Sequence, residues 1–226
     1  MTWTLVQKNS ANNDVTGTSL QVILGAAVTS GNLVAITVTW QDTSTATVDD
    51  TIGNTYTLLD THSDNGQSGA AAGTVNITNA PQTFTLHNNP GTTFRDITVE
   101  EWSTTGGPSP GLDGHTGAAN PTVADGAGFN TGNITTTVNG DLIWASANCS
   151  TTSFPANAGS GFTRNSTIGG EATESQTQTT AGAIAGTWVN PAGGGIQGYV
   201  TNVIAFKPFV AAAGGVPGDG YVENEW

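Results

Sequence analysis

Glu100 and Glu101 stand side by side in the segment DITVEEW. Two carboxylates aimed at one bond are what glycoside hydrolysis requires. On a strand, however, adjacent residues point to opposite faces, so this pair cannot converge. Glu171 and Glu174 have opposite parity too, and the interleaved E-x-D-x-x-E strand of sandwich glucanases is absent. These carboxylates are expected to be solvated, or one of them to pair with Arg95. For nucleophilic chemistry, His62, His87 and His115 fall in predicted loops or strand ends, with Asp60 and Asp113 as conceivable partners. Nothing in the spacing positions a serine beside them.

Metal chemistry has little to work with. Cys149 is the only cysteine, and the three histidines lack ligand spacing. Hard-cation chemistry fits better, with weak calcium candidates at Asp60, Asp64 and Asn65 in DTHSDNGQ. Asp49-Asp50 precedes a tight turn, and its plainer role is turn formation. No cofactor or metal is expected, and no enzyme. Flat aromatic faces can stack on sugars, and Trp144 with Trp102 is the candidate glycan platform, although large aromatics in sandwiches are mostly buried.

Composition narrows the partners. Charged residues are 9 % of the chain, against about 25 % in ordinary domains. The formal net charge is −13, and Lys8, Arg95, Arg164 and Lys207 are the whole cationic complement. A phosphate backbone or an anionic membrane needs several cations in one place, so neither is an expected partner. MTWTLVQKNS has neither a basic n-region nor an apolar h-region, so no secretory signal is expected there.

These residues must be positioned by strands. Short runs rich in Thr, Val and Ile recur between residues 2 and 207, separated by Gly, Asn and Pro. GNLVAITVTW opens at Gly31 and GDLIWASANC opens at Gly140, 109 positions later. Alternation puts Val34, Ile36, Val38 and Trp40 on one face, and Ile143, Ala145, Ala147 and Cys149 on the matching face. Large and small rows of this kind could interlock in one core. Trp144, on the opposite parity with Leu142, would face a second layer or solvent. The expected fold is all-β: a single two-sheet β-sandwich of jelly-roll type, built from two pseudo-equivalent halves at about 1–105 and 122–208, with two separate small sandwiches as the alternative. GGPSPGLDGHTGAANP (106–121) reads as a surface loop anchored by Leu112. Residues 209–226 read as a linker followed by the peptide YVENEW, whose Tyr221, Val222 and Trp226 are candidate partner-binding anchors.

TSLQVILGAAVTSGNLVAITVTW, IGNTYTLL, NGDLIWA, GSGFT and VIAFKP resemble the jelly-roll-like sandwich domains of phage structural proteins and bacterial surface proteins. The resemblance implies a non-enzymatic virion structural protein, a capsid decoration, head-fibre or coat subunit. It would act as a homo-oligomer or on a major capsid or other virion protein, with the virion as its location. A carbohydrate-binding or adhesion module of a bacterial surface protein, or an extracellular filament subunit, is the alternative, with an extracellular or cell-surface location.

Overall fold

The computed structural model describes residues 2–41, 44–54, 56–64, 66–74, 77, 80–105, 111–149 and 156–208. Among them every regular element is a β-strand, and the sheets are antiparallel. The first half contains β1 (Trp3–Asn13), β2 (Gly17–Ile23), β3 (Leu33–Gln41), β4 (Thr45–Asp50), β5 (Leu59–Asp64), β6 (Gln67–Thr74), β7 (Thr83–Thr92) and β8 (Arg95–Thr104). The second contains β9 (Gly111–Val123), β10 (Gly128–Asn130), β11 (Ile134–Thr135), β12 (Asp141–Cys149), β13 (Asn157–Ala158), β14 (Thr163–Ile168), β15 (Glu171–Gln178), β16 (Ala183–Ile184), β17 (Thr187–Val189) and β18 (Gln197–Lys207).

The two halves repeat one path. The first forms a five-stranded sheet, β1-β8-β3-β6-β5, and a three-stranded sheet, β2-β7-β4. The second forms β9-β18-β12-β15-β14 and β10-β17-β13, with β11-β16 as a small extra pair. The repeat at Gly31 and Gly140 is thus β3 answering β12. Both glycines sit at positive φ, 90° and 89°, where the turn into the strand excludes a Cβ.

Each half closes its own core. Val34, Ile36, Val38 and Trp40 pack with Phe84, Leu86 and Tyr56 of the first half. Ile143, Ala145, Ala147 and Cys149 pack with Trp188, Phe129 and Tyr199 of the second. A single sandwich shared by both halves does not form, because the two rows enter different cores. What joins the halves is the other face of the same strands. Leu33, Ala35, Trp102, Leu142, Trp144, Ile204 and Phe206 form a third cluster between the two five-stranded sheets. The result is four layers, and the sandwiches stand back to back.

The packing has the pattern of an isologous dimer folded into one chain. β5 lies against β9 and β1 against β14, while β18 lies against β5 and β8 against β14, with β3 and β12 meeting in the middle. Equivalent strands exchange places across the seam, as a local two-fold axis demands. One side of that axis is apolar and packs large on small. Val200, Ile204 and Phe206 of β18 alternate along the strand, facing Gly69, Ala71 and Gly73 of β6. A Cβ on Gly69 would sit 3.0 Å from Val200 Cγ1, and one on Gly73 would strike the Phe206 ring.

The segment 106–121 departs from expectation. Residues 106–110 are not described, and β9 occupies 111–123 as an edge strand paired with β18. The second half therefore begins near residue 111, not 122. Its Gly-, Asn- and Pro-rich sequence hides it, yet Gly117 is needed. A Cβ there would lie 2.6 Å from Asn202 Nδ2 and 2.8 Å from the His62 ring. Leu112, expected as an anchor, is 47 % exposed.

Gly73→Val should destabilise the protein by about 1–3 kcal/mol through overpacking against Phe206. Chemical denaturation measures this, and an unchanged midpoint would contradict the sheet-on-sheet packing.

Candidate functional site

The polar side of the seam is the densest constellation of functional groups. It is built on the inward faces of β8 and β15, and Asp96, Thr98 and Glu100 share the β8 face by alternation. Glu100 and Glu101 diverge, as parity requires. Both are fully buried, so the expectation of solvated carboxylates fails. Glu101 points into the first half, accepting from Gln7 Nε2 at 2.6 Å, the Thr29 N–H at 2.8 Å and Asn32 Nδ2 at 2.5 Å. Glu100 points into the seam. Its Oε2 accepts from the indole N–H of Trp102 at 3.1 Å, that of Trp144 at 2.9 Å and Asn165 Nδ2 at 3.0 Å, and its Oε1 from the Thr173 hydroxyl. Burial pushes its carboxyl above the usual range, and the four donors oppose that shift. Arg95 pairs with neither glutamate. Its guanidinium donates to the carbonyls of Ser19 and Val15 at 2.9 and 2.8 Å.

Trp102 and Trp144 therefore do not form a glycan platform. Trp144 is fully buried and Trp102 is 6 % exposed. Their faces pack in the seam and their N–H groups are spent on Glu100. A buried ring offers no free face to a sugar.

Two further acids enter the seam that sequence reading did not single out as a pair. Asp96 is fully buried and neither carboxylate oxygen has a hydrogen-bond partner. Burial, with Asp14 nearby, raises its carboxyl to about 8. Glu171 is 1 % exposed. The Thr39 hydroxyl donates to its Oε2 at 3.2 Å, and the Thr98 hydroxyl also faces it. Burial and the facing Asp96 raise it well above the carboxylate range. The only sequence signal is the row Asp96, Thr98, Glu100, which looks like a solvent face until a second sheet covers it.

Elsewhere the acids are structural. Asp50 accepts the backbone N–H groups of Ile52, Gly53 and Asn54, the Asn54 amide and the Tyr56 hydroxyl, and so ties the turn after β4. Glu174 points away from Glu171, into the second core, where it accepts from the Gly159 and Thr187 N–H groups at 3.0 and 3.1 Å. Burial raises it to about 8. Asp113 and Asp141 form a carboxyl pair beside Lys207, whose Nζ is 3.0 Å from Asp113. Burial and the Asp113 charge raise Asp141 to about 8. Burial acts on Asp113 the opposite way from its neighbours, and the Thr137 N–H, Asp141, the Thr137 hydroxyl and Lys207 together hold it low.

His115 does meet Asp60, at 2.6 Å, and His87 meets Asp49 at 3.0 Å. No described hydroxyl joins either pair, so a triad is not assembled. Gly107-Pro108-Ser109-Pro110-Gly111 has the letters of a nucleophile elbow, a motif that works at a strand-to-helix turn. Ser109 lies outside the described residues. Asp60 is committed twice, its carboxylate to His115 and its carbonyl to Asn202 at 2.7 Å. That carboxylate is thereby withdrawn from the calcium site expected with Asp64 and Asn65. Asp64 lies at the end of β5 and Asn65 is outside the described residues. Among the described residues no three His, Cys, Asp or Glu side chains converge as metal ligands. Tyr221, Val222 and Trp226 also lie outside the described residues.

Comparison of the chain with protein-family profiles, curated proteins and solved structures finds no match.

Glu174 sets a pH test. Its folded pKa of about 8 exceeds the ordinary 4.5, so across that window the folded chain holds a proton that the unfolded chain has released. Stability then falls as pH rises, by up to about 1.4 kcal/mol per pH unit for this group. Glu174→Gln should flatten the decline in melting temperature between those pH values, and an identical slope in the variant would contradict the assignment. Glu100→Ala strands four buried donors, each costing about 1–3 kcal/mol, and should unfold the protein or nearly so in the same assay.

Proposed function

We propose that the protein is a non-enzymatic structural subunit of a virion, a phage capsid decoration, head-fibre or coat component that acts through protein-protein contacts. The observation that carries this reading is the duplicated strand path. In it each half sets a five-stranded sheet, β1-β8-β3-β6-β5 or β9-β18-β12-β15-β14, with a three-stranded one, β2-β7-β4 or β10-β17-β13, and we read that path as a jelly roll. Jelly rolls recur in capsids and lectins, so the step from architecture to role is an analogy. The polar chemistry supports it. The acids best placed for catalysis are buried and bonded to their own scaffold, where no substrate reaches them. Two sandwiches fused through a wide seam make a rigid body with exposed edges, and symmetric repetition of weak contacts gives avidity.

A carbohydrate-binding or adhesion module of a bacterial surface protein is the second reading, since lectins share the architecture. Its aromatic platform would have to lie elsewhere than Trp102 and Trp144.

The test compares full-length protein with a chain ending at Lys207, by light scattering and by electron microscopy of particles. Assembly or particle decoration by the full-length protein, lost on truncation, is the expected result. Inert monomers in both cases would overturn the structural reading, and glycan-array binding would then favour the second.

A further inference from the structure

The local two-fold axis pairs every seam position of one half with one of the other. Thr39 lies opposite Asp96 on one side and Gly69 on the other, while Asn148 lies opposite Val200 and Glu171. Asp96 is thus the counterpart of Val200, and Glu171 the counterpart of Gly69. On the apolar side Val200 packs directly on Gly69. The chain already holds an apolar solution for this position, and at the equivalent place it buries two carboxylates.

We propose that Asp96 and Glu171 form a binding site for a hard divalent cation, clasped between the two sandwiches with one carboxylate from each. Both oxygens of Asp96 are fully buried without a partner, and Glu171 faces only the Thr98 and Thr39 hydroxyls. Burial raises both carboxyls, and the pair can be fully ionised in such a place only beside a counter-charge. None of the chain's four cationic side chains supplies it. Arg95 turns to the carbonyls of Val15 and Ser19, Lys207 to Asp113, Arg164 to Asn157, and Lys8 is exposed.

The Asp113–Asp141 pair shows the other way to bury two acids. There the Asp113 charge raises Asp141, and Lys207 stands 3.0 Å from Asp113. Asp96 and Glu171 influence each other with no such cation beside them. Calcium is the fitting ion, because it takes carboxylate and hydroxyl oxygens at about 2.3–2.6 Å. Two negative charges balance a divalent ion. The Thr39 hydroxyl already orients Glu171, and exposed Asp14 at the rim attracts cations toward Asp96.

The test titrates EDTA-treated full-length protein with calcium chloride, then magnesium chloride, near neutral pH, by calorimetry and by thermal melting. Saturable binding of one ion per chain with a raised melting temperature is expected. Asp96→Asn and Glu171→Gln should each weaken binding by more than about a hundredfold, beyond the loss of an outer-shell partner. The double variant Asp96→Val/Glu171→Gly copies the Val200–Gly69 pair, so it should fold and melt identically with or without the cation. Asp60→Asn should bind as the wild type does. Absence of both saturable heat and a melting shift in the wild type overturns the site and leaves protons as the counter-charge. Binding that survives in the double variant also overturns it.

Discussion

A sheet face pressed against another sheet loses its water, and every polar group on it then needs a partner from the protein or from a bound ligand. That constraint governs this molecule, because each five-stranded sheet is covered on both faces. β3 is buried from Leu33 to Trp40 and β12 from Asp141 to Cys149. One face of each strand feeds the core of its own sandwich, and the other feeds the seam between them. Stability and register of the whole therefore rest on what the seam contains.

The seam solves the constraint in two ways at once. On the apolar side, large side chains of β18 fill spaces left by Gly69, Ala71 and Gly73. On the polar side, the equivalent positions carry Asp96, Glu100 and Trp102 against Glu171, Thr173 and Ser175. Glu100 draws Trp144, Asn165 and Thr173 of the second half onto one carboxylate of the first. Slipping the sheets by one residue would strand those donors, so the network fixes a single docking where apolar packing alone would tolerate several. The same dryness leaves Asp96 and Glu171 buried with no cationic side chain beside them, and the cation proposed between them would tie the halves a second time.

Much of this was legible in the sequence, and the limit is physical. The repeat at Gly31 and Gly140, the alternation of Val34 to Trp40, and the opposite parity of Glu100 and Glu101 all describe local periodicity, which a strand expresses directly. The number of layers is not a local property. Thr37, Thr39, Ser146 and Asn148 alternate with apolar residues as a solvent face does, yet all four are fully buried. Nothing in a Thr-Ser-Asn row distinguishes water from a second sheet. β9 was hidden for a related reason: an edge strand that packs through Gly114 and Gly117 needs no apolar alternation. The Asp50 turn, by contrast, follows from its residue types.

The proposed role rests on architecture more than on any reactive group. A duplicated sandwich with its acids turned inward is suited to bearing contacts on its exposed edges and loops. The claim beneath every other is that the two sandwiches are one cooperative body joined at the seam. Native-state hydrogen exchange measures this directly. The slowest amides of β3 and β12 should share one opening free energy, equal to that of global unfolding, and the Trp144 indole N–H should exchange only with them. Two separate plateaus, one for each half, with Trp144 exchanging early, would contradict the account.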